Sequence, residues 1–271
     1  MNQMYLFEGG QRSESGELSW LARFDAAVPE QVLRLIERGA VFVVNHSGGK
    51  DSQAMFHFVH RHVPQNQIRV VHAVLPEVEW EGVEEHIRKT IGSHPLHTCK
   101  ARRTLLQMIE QRGMFPSPSN RQCTSDLKRG PIERTIRQMG NKLIVNCMGM
   151  RAQESSSRAK LSAFKYSERN SKAGREWYEW LPIHDWDVGQ IFSYIEHMGQ
   201  QPHWAYSKGM SRLSCCFCIM SSKADLTTAA QLNPNLYKRY VELERLTGQV
   251  MLMPSKKLGR QSLVDVTGIP T

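Results

Sequence analysis

The segment that determines the fold covers residues 40–52 and reads AVFVVNHSGGKDS. Its apolar start, rich in β-branched side chains, predicts a short buried strand over residues 40–45. A pair of glycines then makes a turn, and residues 50–62 have the pattern of a helix. The glycines let the backbone approach a ligand closely, and the free N–H groups at a helix start attract anions. The junction therefore predicts a phosphate or sulfate site.

The side chains of this junction suit the same ligand. Ser47 and Ser52 offer hydroxyl donors, and Lys50 offers a positive charge. Asp51 would repel a phosphate that it faced, so we expect it either to brace the loop or to help hold Mg²⁺. The spacing differs from the Walker pattern of P-loop proteins. The residues predicted to bind phosphate are Ser47, Gly48, Gly49, Lys50, Asp51 and Ser52.

Strands and helices alternate along the rest of the chain. Apolar runs predict further strands over residues 68–75, 142–147 and 179–183. This alternation predicts an α/β fold, a parallel twisted sheet with helices on both faces. We expect one domain over residues 1–271, with a core of about 28–220 and a C-terminal helical extension of about 221–271. Helices are predicted over residues 29–38, 50–62, 81–91, 104–111, 126–139, 187–198, 223–231 and 235–246, followed by a less regular tail over 249–271.

Composition and charge restrict the class of protein. The 271 residues include 35 Lys and Arg against 26 Asp and Glu, a formal charge of +9, which indicates a polyanionic ligand. The longest apolar run, residues 40–44, is too short to span a bilayer, and residues 1–10 lack the pattern of a secretory signal. We therefore expect a cytoplasmic protein without a membrane partner. Its six cysteines are expected to be reduced, metal-bound or catalytic.

Residues 151–175 carry seven basic and two acidic side chains, many serines and little apolar periodicity. We expect them to form a mobile basic loop rather than a packed element. Two roles for such a loop remain open: contact with a nucleic acid, or a lid that closes over a small anionic ligand.

The cysteines offer a second kind of chemistry. Cys215 and Cys218 form a C-x-x-C pair, with Cys216 between them. Such a pair is ambiguous between metal binding and dithiol chemistry. Cys147, at a predicted strand end, and Cys99 are expected to be structural.

Four segments together resemble one family. They are the SGGKDS loop at residues 47–52, RQCTSDLK at 121–128, GMRAQES at 149–155 and LPIHDW at 181–186. Their order over residues 40–220 resembles that of the phosphoadenosine phosphosulfate (PAPS) reductase-like family of the PP-loop, or adenine nucleotide alpha hydrolase-like, superfamily. In or directly beside the matching segments are Arg121, Lys128, Arg129 and Arg151, which suit phosphate or sulfate contacts at strand and helix ends.

The resemblance implies a set of functional residues. It implies nucleotide binding by Lys128 and Arg151 together with the loop, and catalytic roles for Lys50, Asp51, Cys123 and Arg151. Relatives with iron–sulfur clusters combine a cysteine in the position of Cys123 with a later pair, so Cys123, Cys215 and Cys218 are expected to bind a [4Fe–4S] cluster. The fourth ligand stays open between Cys216, Cys147 and a non-protein group. Zinc bound by three cysteines and His203 is the alternative.

Three functions remain open at this point. The first is an enzyme that uses ATP and Mg²⁺ to adenylylate a substrate and releases pyrophosphate. Sulfur is then transferred from a thiol or a sulfur donor protein to an acceptor such as DNA or tRNA. The second is a thiol-dependent reductase of PAPS or adenylylsulfate (APS) that releases sulfite. Reductases of this family carry a nucleophilic cysteine near the C-terminus, whereas the last cysteine here is Cys218. The third is a non-catalytic nucleotide- or nucleic-acid-binding protein.

Overall fold

A computed structural model describes residues 28–254, 257 and 259–271, and the expectation for residues 1–10 lies outside them. Its centre is a six-stranded sheet in the order β3-β2-β1-β4-β6-β5, in which only β5 is antiparallel to its neighbour. The strand order therefore reverses between β1 and β4, and open α/β sheets bind ligands at such a point. The strands are β1 (Val41–Asn45), β2 (Ile68–Ala73), β3 (Leu96–Cys99), β4 (Leu143–Cys147), β5 (Phe164–Tyr166) and β6 (Glu176–Trp180).

Helices cover both faces of the sheet, as predicted. Alternate residues of β1 enter separate apolar clusters: Phe42 belongs to the larger cluster, and Val43 joins Ile136 in the smaller one. None of the helices in the described ranges is long and apolar enough to cross a membrane. The helices are α1 (Glu30–Glu37), α2 (Lys50–His62), α3 (Val83–Ile91), α4 (Leu105–Arg112), α5 (Gln122–Thr124), α6 (Gly130–Gln138), α7 (Ser156–Ala159), α8 (Val188–His197), α9 (Lys223–Leu232), α10 (Pro234–Thr247) and α11 (Leu263–Thr267).

Short irregular helices connect several of these elements. A π-helical turn, Ser125–Arg129, joins α5 to α6, so that the chain is helical from Gln122 to Gln138. Three 3₁₀ turns lie at Gln65–Gln67, Ala152–Glu154 and Trp204–Lys208. The sequence did not predict β3, because this edge strand has only four residues and is half-buried without an alternating pattern.

Residues 151–175 are folded, which corrects the prediction of a mobile basic loop. They contain α7 and β5, and β5 pairs with β6 at the edge of the sheet. Ser167 and Asn170 are buried in the connection between the two strands. The backbone N–H of Ser167 donates to the carbonyl of Trp177 at 2.8 Å, and the ring of Phe164 stacks on Tyr178 with centroids 5.5 Å apart. Hydrogen bonds and ring stacking replace the apolar periodicity that this segment lacks.

Four of the seven basic side chains in this segment are paired with carboxylates. Arg151 contacts Asp51 at 2.6 Å and Lys165 contacts Glu179 at 3.2 Å. The other two pairs are Arg158 with Glu154 and Arg169 with Glu133. The local excess of positive charge in the sequence is therefore largely neutralised in the folded chain.

The C-terminal tail is also more ordered than predicted. It contains α11, whose residues Leu263 and Val266 join the same apolar cluster as the sheet. The buried carboxylate of Glu244 in α10 accepts hydrogen bonds from the backbone N–H groups of Met251 at 2.7 Å and Leu263 at 2.8 Å. One side chain thus holds both ends of the loop that connects α10 to α11.

Replacing Glu244 with Ala is expected to lower the free energy of unfolding by about 2 kcal/mol or more, because two buried N–H groups lose their acceptor. Urea denaturation measures this change. Glu242→Ala is the matched control, since Glu242 lies on the exposed side of the same helix. Equal stability of the two variants would contradict the role assigned to Glu244.

Candidate active site

The SGGKDS loop lies between β1 and α2, beside the point where the strand order reverses. Gly48 has a φ of +77°, a left-handed conformation that favours glycine. The hydroxyl of Ser52 accepts a hydrogen bond from the N–H of Ser47 at 3.1 Å and donates to the carbonyl of Gly49 at 2.8 Å. The N–H of Gly48 donates to Nδ1 of the buried His46 at 3.1 Å. The loop is therefore shaped by its own polar groups.

Several N–H groups of this loop are left without a partner. Among the residues that the structure describes, no hydrogen bond is formed by the N–H groups of Gly49, Asp51 and Ser52. These groups stand at the start of a thirteen-residue helix, where the helix dipole is positive. N–H groups in this position can bind an anion, so phosphate binding by the loop stays a prediction that this geometry allows.

Asp51 joins the loop to the end of β4. One carboxylate oxygen lies 3.0 Å from Nζ of Lys50, and the other lies 2.6 Å from Nε of Arg151. Both cations are buried, with 3% of Lys50 and 5% of Arg151 exposed. In this position Asp51 braces the loop, which is one of the two roles expected for it.

Gly149 lets the two segments approach each other. A Cβ atom at this position would lie 3.2 Å from the backbone carbon and oxygen of Asp51. The segment GMRAQES at residues 149–155 therefore places Gly149 against the loop and Arg151 in contact with the carboxylate of Asp51.

Tyr206 connects the loop to the segment that leads to the cysteines. Its hydroxyl oxygen accepts hydrogen bonds from the N–H of Lys50 at 3.0 Å and the N–H of Leu213 at 3.2 Å. The ammonium of Lys50 lies 5.6 Å from the centre of the ring. Burial raises the pKa of Tyr206, so the phenol keeps its proton and can still donate it.

Cys123 lies near the segment that contains Cys215, Cys216 and Cys218, although it is far from that segment in the sequence. Burial is the main cause that raises the pKa of Cys215 to about 11, and the thiols of Cys218 and Cys123 raise it further. Burial and Cys218 also raise the pKa of Cys123, and burial raises the pKa of Cys216 to about 12. Lys128 is close enough to oppose these shifts at Cys123 and Cys215. The predicted residues Cys123, Cys215, Cys218 and Lys128 therefore come together.

Cysteines bind metal ions as thiolates, so a cation held by this group would replace the thiol protons. The described part of the chain nevertheless contains no three Cys, His, Asp or Glu side chains arranged to hold a metal ion. Cys147 is fully buried in β4, and burial raises its pKa, as expected for a structural residue.

His203 is not available as the fourth zinc ligand. Its Nδ1 accepts a hydrogen bond from the N–H of Ala205 at 3.2 Å, and its Nε2 lies 3.1 Å from the carbonyl of Glu81. Both ring nitrogens are therefore engaged at the start of the 3₁₀ turn that contains Tyr206.

The cysteine segment is also attached to the loop that follows β2. The N–H of Cys216 donates to the carbonyl of Val78 at 2.8 Å. Beside Val78, Glu79 lies 3.3 Å from Nε2 of the buried His72 and contributes to the raised pKa of Cys215. Tyr206 and His46 were not predicted from the sequence, because neither belongs to a motif that indicates its partners.

Gly48→Ala and Gly39→Ala test the loop geometry. Both glycines have a left-handed φ, but a Cβ atom at Gly48 would lie 2.9 Å from Cγ1 of Val83, whereas none lies within 4 Å at Gly39. We expect Gly39→Ala to cost about 1 kcal/mol and Gly48→Ala about 1–2 kcal/mol more. Chemical denaturation measures both, and similar costs would contradict the close approach.

Tyr206→Phe removes the acceptor shared by the N–H groups of Lys50 and Leu213. The expected loss in the free energy of unfolding is about 1–3 kcal/mol, measured by urea denaturation. Tyr166→Phe is the control, because Tyr166 is exposed on β5. A stability for Tyr206→Phe equal to that of the control would show that the connection is not stabilising.

The chain is similar in sequence to known proteins. A family model described as the phosphoadenosine phosphosulfate reductase domain matches residues 41–221. An uncharacterized protein of Methanocaldococcus jannaschii is 23% identical over 203 residues, which make up 74% of this chain and 47% of that protein. The chain thus spans about half the length of this curated relative.

Solved structures with a similar fold include three kinds of protein. A PAPS reductase from Candida auris, in a phosphate complex, has a TM-score of 0.48 and 16% identity, covering 77% of this chain and 98% of that one. An FMN adenylyltransferase from Candida glabrata has a TM-score of 0.47 and 13% identity, covering 65% and 55%. A U34-tRNA thiolase from Methanococcus maripaludis, with its [4Fe–4S] cluster, has a TM-score of 0.44 and 13% identity, covering 94% and 91%.

Proposed function

Because the chain belongs to the phosphoadenosine phosphosulfate reductase domain family, we propose that it is an enzyme that adenylylates its substrate with ATP and then transfers sulfur to it. The observation that carries the proposal is the loop at residues 47–52, in which unpaired N–H groups stand beside the buried cations Lys50 and Arg151. Such donors suit the phosphates of an adenine nucleotide. Mg²⁺ would enter with the β- and γ-phosphates.

The chemistry is a displacement at phosphorus followed by one at carbon. An oxygen of the substrate attacks the α-phosphorus, the bond from that phosphorus to the bridging oxygen breaks, and pyrophosphate leaves. The outer sulfur of a donor persulfide then attacks the activated carbon, and AMP leaves with the original oxygen. A further thiol attacks the inner sulfur of the donor, so the S–S bond breaks, the outer sulfur stays on the substrate, and the disulfide that forms is reduced by an external thiol. Lys50, Arg151 and the loop N–H groups stabilise the negative charge in the first step, and Asp51 keeps the two cations in position.

Cys123, Cys215 and Cys218 are the residues that would hold an iron–sulfur cluster, with Cys216 beside them. The cluster, when bound, would supply an iron site at which sulfur can be carried. Support comes from the position of Cys123 near Cys215 and Cys218, because thiolates are the usual ligands of such clusters and binding would replace the thiol protons. Lys128 lies close enough to these thiols to bind an anionic group that reaches them.

The second candidate is reduction of PAPS or APS with release of sulfite. It is favoured by the match over residues 41–221 to the reductase domain. In this reaction a thiolate attacks the sulfonucleotide sulfur and the nucleotide leaves. A second thiol then releases sulfite and forms a disulfide, so an external thiol must restore the enzyme.

Two assays separate the candidates: pyrophosphate release from ATP, with and without DNA or tRNA, and sulfite release from PAPS or APS with a thiol donor.

We expect full-length protein prepared anaerobically to release pyrophosphate from ATP and Lys50→Ala to lower this rate about 10- to 100-fold, the loss expected from one charge-assisted hydrogen bond. Lys160→Ala is the control, since Lys160 is exposed and lies outside the loop. Sulfite release without pyrophosphate release would instead favour the reductase. Absence of both, with ATP binding retained, would favour a non-catalytic nucleotide-binding protein.

Metal analysis of the same preparation tests the cysteines. We expect iron and acid-labile sulfide in the wild-type protein and their loss in Cys215→Ser, with retention in Cys99→Ser, because Cys99 lies at the end of β3. A colourless wild-type preparation without iron, and no change in Cys215→Ser, would contradict the cluster. Zinc without iron would show that the cysteines hold a different metal, with a fourth ligand other than His203.

A further inference from the structure

One stretch of the described chain carries a large excess of basic side chains. Residues 99–137 carry nine Lys and Arg against three Asp and Glu. Two of those acids are already engaged: Glu110 pairs with Arg239, and Glu133 pairs with Arg137 and Arg169. This stretch therefore keeps an excess of cations after folding, unlike residues 151–175.

The excess cations form what we call the β3-edge basic surface. All of its members are exposed, and none makes an ion pair within the part of the chain that the structure describes. Arg103 alone is held, by a neutral hydrogen bond to Gln111 at 3.0 Å. The members are Lys100, Arg102, Arg103, Arg121, Arg129 and Arg134.

The fold joins these residues into a continuous region. Helix α6 packs against β2 and β3, and its Arg134 is close enough to Cys99, the last residue of β3, to affect that thiol. Lys100 and Arg102 follow Cys99 directly. At the other end, Arg121 immediately precedes α5, which contains Cys123. The surface thus extends from the edge of the sheet to the group of thiols.

We infer that the β3-edge basic surface binds the phosphate backbone of a nucleic acid and directs one of its nucleotides toward Cys123. Five of its six cations are arginines, whose guanidinium groups bind phosphate in a bidentate manner. Among the exposed large apolar side chains, Met114 alone belongs to the described residues 99–137, so the surface lacks the apolar centre typical of a protein interface. The choice of nucleic acid as sulfur acceptor rests on the proposed function, but binding itself does not.

A matched pair of charge-reversal variants tests the inference. The surface variant is Lys100→Glu, Arg102→Glu and Arg134→Glu, and the control variant is Lys142→Glu, Lys160→Glu and Lys172→Glu. Both change the net charge equally and alter exposed residues outside the phosphate loop and the cysteines. The probes are unfractionated tRNA and a short DNA duplex, and binding to full-length protein is measured by fluorescence anisotropy between about 50 and 200 mM KCl.

We expect the surface variant to bind at least one probe about tenfold or more weakly than wild type. The slope of log K against log salt should become shallower by about 2–3, since about three phosphate contacts are lost. The control variant should keep wild-type binding. Thermal unfolding of both variants shows whether they fold.

Three outcomes would overturn the inference: no binding of either probe by wild type at the lowest salt, equal loss in both variants, or equal competition by polyglutamate, which would indicate an acidic protein as the partner. Failure of the proposed function is distinguishable, because it appears as absent pyrophosphate release. Selective loss of nucleic-acid binding in the surface variant would stand even then.

Discussion

The carboxylate of Asp51 lies between two buried cations, and the arrangement of the site depends on this contact. Lys50 belongs to the loop after β1 and Arg151 to the segment after β4, so one side chain joins the two strand ends at which the order of the sheet reverses. A buried cation without a partner is strongly unfavourable. The loop, the end of β4 and the approach of Gly149 are therefore interdependent: a change in one is expected to disturb the others.

The loop at residues 47–52 is connected to the cysteine segment through hydrogen bonds donated by backbone N–H groups rather than through ion pairs. The hydroxyl of Tyr206 accepts hydrogen bonds from the N–H groups of Lys50 and Leu213. The N–H of Cys216 donates a hydrogen bond to the carbonyl of Val78. Two segments that are far apart in the sequence thus share one border of the site. An anion that binds the loop and a group that reaches the thiols would lie in adjoining parts of the same site, as sequential adenylylation and sulfur transfer require.

The structural features that could be predicted from the sequence are those that depend on residues close to one another along the chain. The strand, turn and helix around residues 40–62 follow from apolar periodicity and two glycines, and the helix begins and ends as predicted. Residues 151–175 were predicted incorrectly because their cations pair with partners supplied by other parts of the chain, Asp51, Glu133 and Glu179 among them. Of the cations at the β3 edge, only Arg121 and Arg129 were singled out from the sequence, since pairing across the fold decides which cations remain without a carboxylate partner. Tyr206 could not be predicted, because its partners are backbone N–H groups, which have no signature in the sequence.

The carboxylate of Asp51 could either position Lys50 and Arg151 or merely add negative charge to the site. The direction in which ATP affinity changes when Asp51 is replaced separates these two roles. Calorimetric titration of full-length protein with ATP and Mg²⁺, comparing wild type with Asp51→Asn, measures it directly. If the carboxylate positions Lys50 and Arg151 for the phosphates, the dissociation constant rises about tenfold or more in Asp51→Asn, as expected when a charge-assisted bridge worth about 1.5–3 kcal/mol is lost. Unchanged or tighter binding would contradict the account, because it would mean that the phosphates do not depend on the cations that Asp51 holds.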